Sequence, residues 1–489
     1  MPKPKRFLHD AAPKKKSKQP QPPATADEYL AAGVDFEEAG EKWRGGDAAK
    51  SARFFLRAID CYDEALKKFP GSFDLAYNKA RLQYELTQYQ KLLAQLPGNL
   101  VALLTTALES SRYALALKQD NADVLFNTAQ TLTSLVEATT DSDSNPGSDS
   151  LSLLEEALGL FQRCLAVQEY QYTESQAQAA AVSEDASMDD AGLPNPEDSD
   201  TSLGSDGPQD DRWATIVEPV TNNTLLDTVL AQVETLTLLC NLTPLSSEPT
   251  LLTFIAEYSS NLLSTNLPLY IRDTGRDTEA HLTAANFKAA QADLSYRCQK
   301  LNQSSYIACL TDAFVALDLA NHPEGLVNKA EALISFNASI RINPPTTSQE
   351  LNESLPARWQ ALTTALECLT AASKLSTASN LAKIHILRGD AELLRYQLGQ
   401  EQPPYDVAAK NAQVLCRNAG KFYRGAAVLC EDKDEKLEAS VKEALAKAFG
   451  GNALSIGEFA QQQASRRVLE EAIEEGLVRV DQFTTMGIQ

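Results

Sequence analysis

The stretch AIDCYDEALKKFPGSFDLAYNKARLQYEL, residues 58–86, holds two apolar-periodic runs parted by a proline and a glycine. In the first run Ala58, Tyr62 and Ala65 recur at helical offsets, and Pro70 closes it. The spacing places those side chains on one face of a helix that stops just before the proline. Phe73 to Leu86 then reads as a second helix. A lone amphipathic helix cannot bury its apolar face in water, so the two are expected to pack on each other and on further helices of the same kind.

Such helices recur along the chain. LAYNKARLQYEL (75–86), VLFNTAQTLTSL (124–135) and GLVNKAEALISF (325–336) superimpose without gaps, each with Asn two residues before Ala: Asn78/Ala80, Asn127/Ala129 and Asn328/Ala330. The small residue lets a neighbouring helix come close. The partner helices repeat as well, since Ala157, Phe161 and Cys164 copy the spacing of Ala58, Tyr62 and Ala65. Ser51, Phe55 and Ala58 fit that spacing too, seven residues earlier, so the first long helix reads as extended. The second junction, ALALKQDNADVLFNTAQTL, has Gln119 where the first has Pro70. Ala80 and Ala129 are 49 residues apart, with the excess around TQYQKLLAQLPGN.

A helix with a small central residue, followed by one reading A-x-x-x-[FY]-x-x-A-x-x-x-x-P, resembles the tetratricopeptide repeat (TPR). The resemblance is strongest over residues 28–169, present at 310–340, and generic elsewhere, where HILRGDAELLRY carries Gly389 at the central position. It implies an all-α fold, a right-handed superhelix of antiparallel helix pairs. Its concave face would be lined by the first helix of each pair and would hold an extended peptide or a partner's helix. On that expectation Asn78, Gln83, Asn127, Thr131 and Asn328 face the groove, although Asn at that position serves equally to stabilise the repeats. The TPR clamp for chaperone C-terminal carboxylates would need Lys, Asn, Asn, Lys and Arg. Here Asn78 fits, while the other positions hold Phe36, Gly40, Asp123 and Asn127, and Asp123 would repel a carboxylate.

The organisation read from composition has four parts. Residues 1–26 form a basic tail without periodicity, expected to be disordered. Residues 27–169 are the TPR-like repeats. Residues 170–212 are expected to be a disordered acidic insert, because 170–211 hold eleven Asp and Glu and no Lys or Arg. Residues 213–489 carry further, irregular helices broken at NLTPLSSEP, NHPEG, RINPPTTSQE and LGQEQPPYD. Strand-like alternation with hairpin turns is absent. The apolar runs, LTLLCNL among the longest, fall short of a membrane span, and the N-terminus has no secretory-type apolar core. The eight cysteines are scattered singly and read as reduced core residues.

The net charge is −22, yet residues 1–18 carry seven Lys and Arg against one Asp. So acidic a body repels nucleic acid and anionic membrane, and either draws in a basic protein partner or serves only to keep the chain in solution. The two clusters of the tail, Lys3, Lys5 and Arg6, then Lys14, Lys15, Lys16 and Lys18, suit a nuclear import receptor. No phosphate-binding glycine loop, metal-binding histidine pair or nucleophile elbow occurs, and no cofactor is expected. Of the four histidines, His385 reads as a packing or surface residue and His322 as a dipole partner at a helix C-terminus. These features point to a non-catalytic binding protein in nucleus or cytoplasm. It would be either an escort for a basic client of the ribosomal-protein or histone type, or a scaffold subunit of a stable complex; oligomeric state is left open.

Overall fold

A computed structural model describes residues 22–142, 148–188, 219–244, 249–451, 459 and 463–485. Among them all regular structure is helical. The chain divides into two compact units: Met1–Leu242 with Phe254–Arg276, and Thr243–Thr253 with Asp277–Gln489. The basic import clusters and residues 189–212 of the expected insert lie outside the described residues.

The first unit begins with α1 (Ala26–Arg44), whose N-terminus is closed by a capping box: Glu28 N–H donates to the Thr25 hydroxyl, and the Glu28 carboxylate accepts from Thr25 N–H. Next come α2 (Ala48–Lys68), α3 (Phe73–Thr87), the short α4 (Gln90–Leu93), α5 (Leu100–Leu117), α6 (Ala122–Ser142), α7 (Ser148–Met188) and α8 (Asn222–Leu242). The quoted stretch behaves as its periodicity requires: α2 ends two residues before Pro70, and Ala58, Tyr62 and Ala65 are fully buried. The surplus between Ala80 and Ala129 is the α4 connection.

Two glycines set how closely α1 and α2 approach. A Cβ at Gly40 would lie 2.8 Å from the Phe55 ring, and one at Gly33 would fall inside contact distance of the Tyr62 ring. As the index rises along α1 it falls along α2, so the pair is antiparallel. Both overlapping matches of the first long helix are therefore used, one against each glycine. Ala80 and Ala129 are likewise buried at their helix centres.

The second unit holds α9 (Pro249–Asn261) only in its first residues; α9 continues through a π-turn at Leu262–Asn266 into α10 (Leu267–Tyr270) in the first unit. The remainder is α11 (Asp277–Arg297), α12 (Gln303–Val315), α13 (Pro323–Ile342), α14 (Ser348–Ala372), α15 (Leu381–Leu398), α16 (Asp406–Leu429), α17 (Lys433–Phe449), α18 (Gln463–Glu474) and α19 (Val480–Thr485). Each helix packs chiefly on its neighbours in sequence. In α15 the central Gly389 again lies under an aromatic ring, that of Tyr423 on α16. Below it Tyr423 donates to Asp390 at 2.8 Å, and the fully buried Lys442 of α17 reaches Asp390 at 3.2 Å and both Glu438 and Glu475 at 2.9 Å.

Four expectations are corrected. Helix α7 runs to Met188, into the segment read as disordered from 170, because its Ala, Gln and Glu favour helix and neither Pro nor Gly occurs before Gly192. His322 sits at the start of α13, not at a helix C-terminus, and its Nδ1 accepts from Gly325 N–H at 3.1 Å. Cys309 is exposed while five cysteines are buried; all eight are free. Finally, α5 and α8 are long and apolar enough to cross a membrane by length and mean hydropathy. Scattered Thr, Ser and Asn hide that from a run-length reading. Both are packed in the first unit, α5 against α3 and α6, and α8 against α7 with twelve buried residues.

Candidate protein-binding face

The first helices of successive pairs, α1, α3, α6 and α8, lie side by side in the first unit. Polar side chains lace them together. Between α1 and α3, Arg81 pairs with Glu37 and with Glu85 (2.8 Å), while Tyr62 donates to the other Glu37 oxygen at 2.6 Å. Arg44 reaches Glu85 at 3.3 Å. Between α3 and α6, Asn127 donates to the Tyr77 hydroxyl at 3.4 Å, and Tyr84 and Ser134 share a hydrogen bond of 3.1 Å. Between α6 and α8, Thr133 and Thr235 meet at 3.2 Å.

The electrostatics follow from burial. Desolvation alone would lower Arg81, but the Glu37 and Glu85 carboxylates outweigh it and raise it, so the guanidinium stays charged. Desolvation raises Glu85, and Arg81 pulls it back. Tyr62 is raised far out of its ordinary range by burial and then by Glu37, so it remains a hydrogen-bond donor. This arrangement holds helices in register; it presents neither a nucleophile nor an acid–base pair to solvent. Among the described residues no group of three or more His, Cys, Asp and Glu is placed to hold a metal ion.

The structure separates the expected groove residues. Thr131 is fully buried and donates to the Asn127 carbonyl at 2.7 Å, so it lines no groove. Asn127 is buried against Tyr77 and acts between helices. Asn78 is half-buried and donates to the Asp74 carbonyl in its own helix at 2.8 Å. Gln83 is half-buried, with its side-chain oxygen sealed off and unpartnered. Asn328 belongs to the second unit, apart from the other four.

What the helix pattern missed is the distribution of charge. Six acids and two bases lie on α1, two and two on α3, three acids on α6 (Asp123, Glu137, Asp141) and two on α8 (Asp227, Glu234), with no Lys or Arg on the last two. The alternating helices α2, α5 and α7 together carry eleven acids and seven bases, seven of the acids lying on α7. The acidic excess is thus larger on the layer of first helices, though both layers are net acidic. Asp35, Glu38 and Glu41 of α1 are exposed. The signal was present in the sequence, but only the assignment of each helix to a layer makes it readable.

No family model matches the chain. A stretch of 130 residues is 33% identical to the UPF0656 protein C926.02 of Schizosaccharomyces pombe, covering 27% of this chain and 28% of that one. Another of 184 residues is 26% identical to the uncharacterized protein YNL193W of Saccharomyces cerevisiae, covering 32% and 33%. The chain thus spans about a third or less of the length of the curated relatives it matches. Among solved structures, similarity extends to a circular tandem repeat protein (11% identity, TM-score 0.30, 95% of this chain and 98% of that one). It also extends to Nro1, described as a nuclear import adaptor (12% identity, TM-score 0.34, 74% and 93%). These structural likenesses are shallow.

Proposed function

We propose that this chain is a non-catalytic, TPR-type helical-repeat protein that escorts a basic client, of the ribosomal-protein or histone type, between cytoplasm and nucleus. The excess of thirteen Asp and Glu over four Lys and Arg on the first-helix layer carries the reading. A continuous acidic layer attracts a basic chain over a Debye length and masks its charge by many weak contacts. The acidic segment 170–211 would extend the same field, and the basic clusters at Lys3–Lys18 would serve import. In this reading the buried Asn127 and Thr131 hold the layer together, and exposed carboxylates touch the client.

The test is fluorescence anisotropy of a labelled core histone, and of a basic ribosomal protein, with the purified full chain across a salt series. Tight binding at physiological salt is expected, weakening steeply as salt rises. The exposed pair Asp35→Lys/Glu38→Lys should lower affinity about tenfold, roughly the 1.4 kcal/mol that two reversed contacts supply. Absence of binding to either protein at physiological salt would overturn the reading. Stoichiometric partners retained from cells at high salt would favour a scaffold instead, because apolar burial is not screened.

A further inference from the structure

The second unit contains a cleft of about 760 Å³ bounded by α13, α14, the loop before α16 and the chain after α18. Its walls are apolar: Leu351 and Leu355 of α14, Pro404 and Tyr405 of the loop, and Val480 of α19. Leu351 is 48% and Val480 66% exposed. Into the same cleft come three guanidinium groups, from Arg341, Arg358 and Arg479.

The three are not equivalent. Arg358 is buried and already matched, donating to Asn337 at 2.9 Å and pairing with Glu401 at 2.7 Å. Arg479 is held by both oxygens of Asp481, at 3.0 and 2.8 Å, and donates to the Gln400 carbonyl. Arg341 makes no ion pair among the described residues. One of its terminal nitrogens donates to the Glu474 carbonyl at the end of α18, at 2.8 Å, and its Nε is buried without a partner. Asp406, at the cleft edge, is exposed and makes no ion pair either.

We infer that this cleft binds an extended peptide segment of a partner that places an Asp or Glu carboxylate on Arg341 and an adjacent bulky aliphatic or aromatic side chain between Leu351 and Val480. Charge complementarity commits it to an acidic occupant. The chain as a whole has 66 acids to 44 bases, yet the cleft is lined by three arginines against two carboxylates, Glu401 and Asp406, and Arg341 is the arginine in no ion pair among the described residues. Burial, and then the Arg358 charge, lower Arg341 from its ordinary value, while the Glu401 charge raises it. An incoming carboxylate opposes the Arg358 charge and accepts charge-assisted hydrogen bonds from the terminal guanidinium nitrogens. The apolar walls supply the burial that a charge contact alone lacks. This site is of opposite preference to the acidic face of the first unit and does not depend on it.

The test is panning of a phage-displayed random heptapeptide library on the purified full chain at high salt, which suppresses purely electrostatic capture by the acidic face. Clones combining Asp or Glu with a neighbouring Leu, Ile, Phe or Trp are expected to dominate. A synthetic fluorescein-labelled peptide of the winning sequence should bind at least tenfold more weakly to Leu351→Ser and to Arg341→Gln. Leu351 is exposed, so its variant tests the cleft without touching the core; circular dichroism checks that Arg341→Gln keeps its helices. No enriched clone, enrichment of basic clones alone, or acidic clones held equally by both variants would overturn the inference. Its outcome leaves the histone and ribosomal-protein measurements untouched.

Discussion

Tyr62 can lie beneath α1 only because residue 33 has no side chain. Gly33→Val puts a branched side chain into that ring, and overpacking of this kind costs about 1–3 kcal/mol. A lower urea midpoint by circular dichroism is expected, and an unchanged midpoint would contradict the packing described. Lys442 poses the opposite problem, a buried charge kept by its partners. Burial raises Asp390 to about 7 against the lowering effect of Lys442. Lys442→Met removes that lowering and leaves the carboxylates unmatched, a loss of about 3–5 kcal/mol when they are ionised. The native variant then holds its Asp390 proton to higher pH than the parent does. Where the native state binds more protons than the unfolded chain, stability falls as pH rises. The parent's decline from this group ends near 7, and the variant's continues above it. Chemical denaturation at pH 6 and pH 9 should therefore show a larger deficit at pH 9; an equal deficit would mean that Asp390 does not titrate with Lys442.

At the scale of the element, helix ends were the more legible part. Pro70 and the breaks NHPEG, RINPPTTSQE and LGQEQPPYD fall at helix boundaries, because a proline's missing N–H does its work locally. Thr25→Ala removes one half of the α1 capping box and should cost about 1 kcal/mol, read as a shifted thermal midpoint. A shift near zero would indicate that α1 is held by α2 alone. The same local logic placed His322 at the wrong helix end and did not foresee how far α7 runs into the acidic segment. Composition suggested disorder from residue 170, whereas helix propensity carries α7 on to Met188. NHPEG reads equally as the end of one helix or the start of the next, and the backbone places His322 at the start. The apolar length of α5 and α8 was missed for a related reason, since averaging over a helix and counting an unbroken run are different measures.

For the molecule as a whole, repetition and charge were written in the chain, and their placement was not. The recurrence of Asn78/Ala80, Asn127/Ala129 and Asn328/Ala330 in apolar-periodic segments pointed to an array of packed helices, and all three alanines are buried. Which polar residue faces outward depends on the neighbours that folding supplies. Asn127 and Thr131 share the sequence pattern of groove residues, yet Tyr77 and the backbone of α6 take up their hydrogen bonds. Asn328 carries the same motif but belongs to a different unit. Arg341, Leu351 and Val480 are far apart in sequence and show no motif; the folding of the second unit brings them to one cleft. The sequence by itself thus determined the helical class, most of the helix boundaries and the sign of the charge, since these follow from periodicity, caps and composition within a few residues. Tertiary structure alone decided the layer on which the acids lie, the burial of the Asn and Thr side chains and the existence of the arginine cleft. Each of those depends on contacts between residues tens of positions apart.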